Sequence, residues 1–152
     1  MGVDYGQQRI GLALSDASGM LARPWKTISR AGNPSQVAQA LAAEVQALDA
    51  AGEGVGVMVL GYPRRLSGEA SDQTAAVQRV ADRLKALIEI PVVLQDERLS
   101  SHEAEALLAQ RERDWRKRKA QLDAMSAAVI LQDYLDAADA DRAALRREGD
   151  DT

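Results

Sequence analysis

Apolar and polar positions alternate strictly from Arg9 to Ser15. Ile10, Leu12 and Leu14 fall on one face and Arg9, Gly11 and Ala13 on the other, the two-residue period of a β-strand. Met1 to Asp4 reads as a short strand before it, joined through a tight turn at Tyr5 to Gln8 in which Gly6 supplies a positive φ. Lys26 to Ser29 gives a third strand, after a loop containing Pro24. The period then lengthens. Val37, Leu41, Val45 and Leu48 form one helical stripe, with Asn33 as N-cap, Pro34 in the first helical position and Gly52 as the stop.

Val55 to Leu60 is an unbroken apolar run of strand length, the pattern of a strand covered on both faces, and it breaks at Gly61-Tyr62-Pro63. Val77, Val80, Ala81, Leu84 and Leu87 mark a second amphipathic helix. Pro91 opens a fifth strand, Val92-Val93-Leu94, ending at Gln95-Asp96-Glu97-Arg98-Leu99, and Ser100 with Glu103 forms a capping box for a further helix. A last helix runs from about Leu122 to Leu135, and its stretch from Ala124 to Leu131 is apolar almost all round, as in a buried helix.

The element order is therefore β-β-β-α-β-α-β-α-α. An antiparallel start followed by βαβ units predicts a three-layer α/β domain, a mixed five-stranded sheet flanked by helices. The domain spans residues 1–138, and 139–152 form a polar C-terminal tail, frayed or disordered. The first strand is short for its class, which leaves open whether the natural chain starts upstream of Met1.

Composition narrows the function classes. The chain has no Cys, which excludes disulfides and thiolate metal sites and suits a reducing, cytoplasmic setting. No apolar run approaches the ~20 residues of a membrane span. The net charge of −4 hides an uneven distribution. Residues 111–119 carry six basic and two acidic side chains, whereas beyond Leu135 six acids face three arginines. A local basic patch bears more on phosphate binding than the total does. Phe is absent and aromatics are few, which argues against a base-stacking platform.

Three acids stand out by position: Asp4 at the end of the first strand, Glu97 just past the fifth, and Asp123 at the start of the buried helix. Ligands of open α/β sheets gather beyond the carboxyl ends of parallel strands. Asp4 and Glu97 would converge there if their strands are neighbours, with Asp123 brought over them. Three carboxylates in one cleft call for a cation, Mg²⁺ or Mn²⁺. Each acid also has a plainer explanation: Asp4 as turn chemistry, Glu97 paired with Arg98, Asp123 as a helix N-cap. His102, the single histidine, falls in a first helical turn, where a solvent-facing side chain is the simpler reading. Arg64 and Arg65 after Gly61-Tyr62-Pro63, and the 111–119 run around Trp115, are either solvated surface or phosphate contacts.

The ordered set of motifs resembles the YqgF family, also called RuvX, a branch of the RNase H-like superfamily. The resemblance rests on Asp4-Tyr5-Gly6, Arg9-Ile10-Gly11 and Ser15-Asp16, then Gly61-Tyr62-Pro63 with Gly68, then Asp96-Glu97-Arg98-Leu99-Ser100. It closes with Asp123, Ala127-Ala128 and Ile130-Leu131-Gln132-Asp133-Tyr134-Leu135. It implies an RNase H-like fold and divalent-metal phosphodiester hydrolysis, with two Mg²⁺ or Mn²⁺ ions held by Asp4, Glu97 and Asp123 as the catalytic acids. Arg9, Arg64, Arg65, Arg98, Arg116, Lys117, Arg118 and Lys119 would hold nucleic acid. The implied role is trimming the 5′ end of precursor 16S rRNA in pre-ribosomal particles. A homodimeric Holliday-junction resolvase acting on branched DNA is the alternative, and a non-enzymatic binding module on the same fold is a second. The loop Arg64-Arg65-Leu66-Ser67-Gly68 is more basic than the family's usual one and lacks its acid. An ATPase of the sugar-kinase type needs two such domains around a nucleotide, and this chain has room for one.

Overall fold

The computed structural model describes residues 1–6, 8–30, 32–62, 72–96, 106 and 115–150. Five strands form one sheet: β1 (Gly2–Tyr5), β2 (Arg9–Ser15), β3 (Ala22–Ser29), β4 (Met58–Tyr62) and β5 (Val92–Asp96), in the order β3-β2-β1-β4-β5. β1–β2 and β2–β3 pair antiparallel, β1–β4 and β4–β5 parallel. The sheet is mixed, as the element order predicts, with the antiparallel hairpins on one side of β1 and the βαβ units on the other.

Alternation decides which side chains enter which layer. Val3, Tyr5, Ile10, Leu12, Met58 and Leu60 point to one face, where helices α1 (Pro34–Ala50) and α2 (Asp72–Leu87) cover them with Val37, Leu41, Val45, Val77, Val80 and Leu84. Ala13 and Val59 point the other way, onto Ala127, Ile130 and Leu131 of helix α3 (Trp115–Asp150). All eight residues from Ala124 to Leu131 are buried, as their composition predicts. α1 begins as expected, with Gln36 N donating to Asn33 Oδ1 at 2.9 Å and Asn33 N to Gln36 Oε1 at 2.8 Å.

Several boundaries move. β3 starts at Ala22 and contains Pro24, which the sequence reading placed in a loop. Proline is admitted at sheet edges and bulges, and β3 offers both: Leu12 pairs with Lys26 and Ala13 with Pro24, leaving Trp25 extra. β4 begins at Met58 rather than Val55 and continues through Gly61 and Tyr62. α3 begins at Trp115, seven residues before Leu122, because Arg, Lys, Ala and Gln are good helix formers whatever their charge. It continues through Asp150, so the stretch read as a polar tail is helix, exposed from Asp139 to Arg147.

The amino group of Met1 donates to Val57 O at 2.9 Å from a partly buried position, and burial lowers its pKa from 8.0 to about 6. The fold thus favours the neutral amine, while the unfolded chain takes up a proton near pH 8. A chain with a free amine at Met1 should gain about 2–3 kcal/mol of stability between pH 6 and 8, with the full penalty present below 6. Urea unfolding at pH 5.5, 7 and 8.5 checks this against an Nα-acetylated sample, which should lose that part of the slope.

Candidate active site

Asp4 occupies the penultimate position of β1 and is half-buried. Its neighbours Val3 and Tyr5 enter the layer under α1 and α2, so alternation turns Asp4 toward α3. Gly2, two residues back on the same face, confirms the direction: a Cβ there would lie 2.6 Å from Ala127 O of α3. Across the sheet Asp4 pairs with Gly11 of β2, and a Cβ on Gly11 would lie 1.9 Å from Asp123 O. The backbone of Asp123 therefore rests directly over the residue opposite Asp4. Two glycines let α3 descend onto the sheet and set the backbone of Asp123 over the strand neighbour of Asp4.

The other strand neighbour of Asp4 is also a glycine. β1 and β4 pair Gly2 with Val59 and Val3 with Leu60, and one further step of that register sets Asp4 beside Gly61. Gly61 in turn pairs with Gln95 of β5. On the α3 side of the sheet the tier reads Gly11, Asp4, Gly61, Gln95, so that both strand neighbours of Asp4 are glycines. β1 and β5 are not neighbours, contrary to the condition set for Asp4 to meet Glu97, because β4 lies between them. Two strand spacings are about 10 Å, and Gly61 leaves the intervening position open. Glu97, Arg64, Arg65, Arg98 and His102 lie outside the described residues, as does the capping box of Ser100 and Glu103.

Asp123 is not an N-cap: it sits eight residues inside α3. Its Oδ2 accepts a hydrogen bond from Arg9 Nε at 3.0 Å, with side chains 24 % and 44 % exposed respectively. Arg9, expected on nucleic acid, is thus paired with Asp123 in this structure. The turn between the strands is tight for a reason other than the one expected. Gly6 does not have positive φ; instead a Cβ there would lie 2.4 Å from Arg9 O and 3.7 Å from Asp123 Oδ1.

Sequence reasoning missed Arg30. Its guanidinium lies 4.2 Å from the centre of the Tyr5 ring, and Nη1 donates to Gly6 O at 3.0 Å. It braces the turn that follows Asp4. The signal was available in the β2–β3 pairing, since Arg9 opposite Ser29 brings residue 30 beside the turn. Gln132 was quoted only as part of a motif and has a structural task. Its Oε1 accepts from Ala22 N and its Nε2 donates to Met20 O, both at 2.9 Å, tying the β2–β3 loop to α3. Asp16 is likewise structural. Its carboxylate accepts from Ser18 Oγ, Met20 N and Leu21 N, bonds that hold its pKa below the usual carboxylate value. A cleft of about 670 Å³ opens at that same end of the sheet, lined by Met1, Leu14, Asp16, Arg23 and Val57, away from Asp4 and Asp123.

Of the basic cluster, Arg116, Lys117, Arg118 and Lys119 occupy the first turns of α3, and Lys117 is exposed. Lys117 precedes Asp123 by roughly 9 Å of helix rise. Cations at a helix N-terminus oppose the helix dipole, a cost that a polyanion bound there would offset.

The donor chemistry suits a hard divalent cation, since Asp4 and Asp123 offer carboxylate oxygens and the chain has no Cys. Among the described residues no three His, Cys, Asp or Glu side chains gather as a possible metal site.

The model of the family described as "RuvX: Holliday junction resolvase" matches residues 1–137. The chain belongs to the RuvX family. Curated relatives agree over the same span. A protein of Chloroflexus aggregans is 40% identical over 137 residues, 90% of this chain and 92% of its own length. One of Syntrophus aciditrophicus is 40% identical, covering 90% and 87%, and one of a Nocardioides species is 41% identical, covering 90% and 86%. All three carry the name "Putative pre-16S rRNA nuclease". Among solved structures, Thermus thermophilus RuvC aligns over 85% of this RuvX chain and 90% of its own, at 13% identity and a TM-score of 0.46. Among the described residues no helix is long and apolar enough to cross a membrane.

Proposed function

We propose that this RuvX protein is a divalent-metal-dependent nuclease that hydrolyses phosphodiester bonds in structured RNA, trimming the 5′ end of precursor 16S rRNA. The observation that carries the reading is the tier Gly11, Asp4, Gly61, with the backbone of Asp123 seated on its first member. The names of the relatives supply the substrate. Asp4 and Asp123 would hold Mg²⁺ or Mn²⁺, with Glu97 completing the set. Two such ions, when bound, lower the pKa of the attacking water and neutralise charge on the leaving oxygen. The chain's own residues do the rest. Asp4 is fixed on a strand, Arg30 braces the turn after it, and Arg64, Arg65, Arg98 and Arg116–Lys119 draw in the phosphate backbone. The site of action is the cytoplasm, on pre-ribosomal particles.

The family description favours a second reading, cleavage of four-way DNA junctions, which needs two sites in a symmetric dimer. A cleavage panel in Mg²⁺ or Mn²⁺ separates the two, using a pre-16S 5′ leader, single-stranded RNA, single-stranded DNA and a four-way junction. The expected result is metal-dependent cleavage with the leader preferred. A preferred junction, cut by a dimer, would move the assignment to the second reading. No cleavage of any substrate by the folded protein would overturn both in favour of a binding module.

A further inference from the structure

The Arg9–Asp123 pair bridges the two elements that build the site. Arg9 opens β2, two residues before Gly11, which opposes Asp4; Asp123 lies over Gly11 from α3. The bond is a single one, Nε to Oδ2 at 3.0 Å, and Arg9 is 44 % exposed on its open side. An ion pair this open is weak and easily exchanged. Its location nonetheless does two things. It fixes the carboxylate of Asp123 toward the hairpin that carries Asp4, and it sets a positive charge beside that carboxylate. A divalent cation at Asp123 would do both more strongly, and it would repel the guanidinium beside it.

We infer that Arg9 is an exchangeable counter-ion: it holds Asp123 in place without a cation, and a bound cation releases it toward the phosphates of the substrate. The inference rests on the metal-dependent reading above and makes Arg9 a positioning residue that acts through Asp123. It explains why a strand-edge arginine is committed to a carboxylate the chemistry needs. A guanidinium freed from a carboxylate presents its planar fork to the next suitable anion, and phosphate matches that fork. Cation binding and substrate grip would thus be coupled through one side chain.

Calorimetric titration with Mn²⁺ alone tests it, comparing wild type with Arg9→Gln and Arg9→Lys. The first variant removes the competing charge and should bind Mn²⁺ about threefold to tenfold more tightly, while the second stays within about twofold of wild type. A purely structural Arg9 predicts the opposite sign, because a loosened Asp123 binds the cation less well. In wild type the Arg9 Nε–H resonance should also shift during a Mg²⁺ titration, with the midpoint of metal binding. Both variants alter an exposed side chain, and their melting temperatures verify that the fold is kept. Equal or weaker Mn²⁺ binding by folded Arg9→Gln, with wild type still binding, overturns the exchange alone. No Mn²⁺ binding by any of the three overturns the metal reading and the exchange with it.

Discussion

Asp4→Asn should abolish metal-dependent cleavage while leaving the protein folded. Asp4 is the one candidate ligand held on a central strand, flanked across the sheet by Gly11 and, one register step on, by Gly61. The substitution keeps the shape and removes the charge. A lost ligand at such a site forfeits several kcal/mol of transition-state stabilisation, which at 1.36 kcal/mol per decade is about a thousandfold or more in rate. Stability should move the other way if at all, because Asn relieves repulsion between acids on one face. The check is a single-turnover cleavage rate beside a thermal melt. A variant with full activity would remove Asp4 from the mechanism; a variant that fails to fold would make Asp4 structural instead.

Much of this was legible in the sequence because side-chain period maps directly onto layers. Ile10 and Leu12 against Gly11 and Ala13 foretold two differently covered faces, and the all-round apolar run from Ala124 to Leu131 foretold a buried helix. Other features depended on pairing, which a single chain's pattern does not encode. That β4 would separate β1 from β5 follows from crossover order, not from any residue near Asp4 or Glu97. That Arg9 would bond Asp123, 114 residues away, follows from α3 landing on β2. Gly6 misled for a different reason. Glycine in a turn suggests φ above zero, yet here it is required by crowding against Arg9 O. Charge misled at α3, where the basic run was read as a feature of its own before its helix propensity was weighed.

The second large effect is expected at Gly11, again through crowding against backbone. Gly11→Ala adds one carbon, and that carbon would start 1.9 Å from Asp123 O and 2.2 Å from Asp123 C. Real contacts of this kind are not sustained, and the neighbour is helix backbone rather than a side chain that could swing aside. α3 must lift from the sheet by about 1 Å, judged against ordinary non-bonded contact distances. Overpacking of this order costs about 1–3 kcal/mol, although Gly→Ala elsewhere in a chain tends to stabilise through the unfolded state. The lift also carries Asp123 away from Asp4, and a misplacement near 1 Å costs about a hundredfold in rate. Stability and activity should therefore fall together from a substitution that touches no ionisable group. Gly56→Ala is the matched control: its added carbon meets nothing within 4 Å and its φ is not positive. Unfolding midpoints and cleavage rates of the two variants decide the matter. If Gly11→Ala behaves like Gly56→Ala, α3 does not rest on β2 as described, and the meeting of Asp4 with Asp123 loses its structural basis.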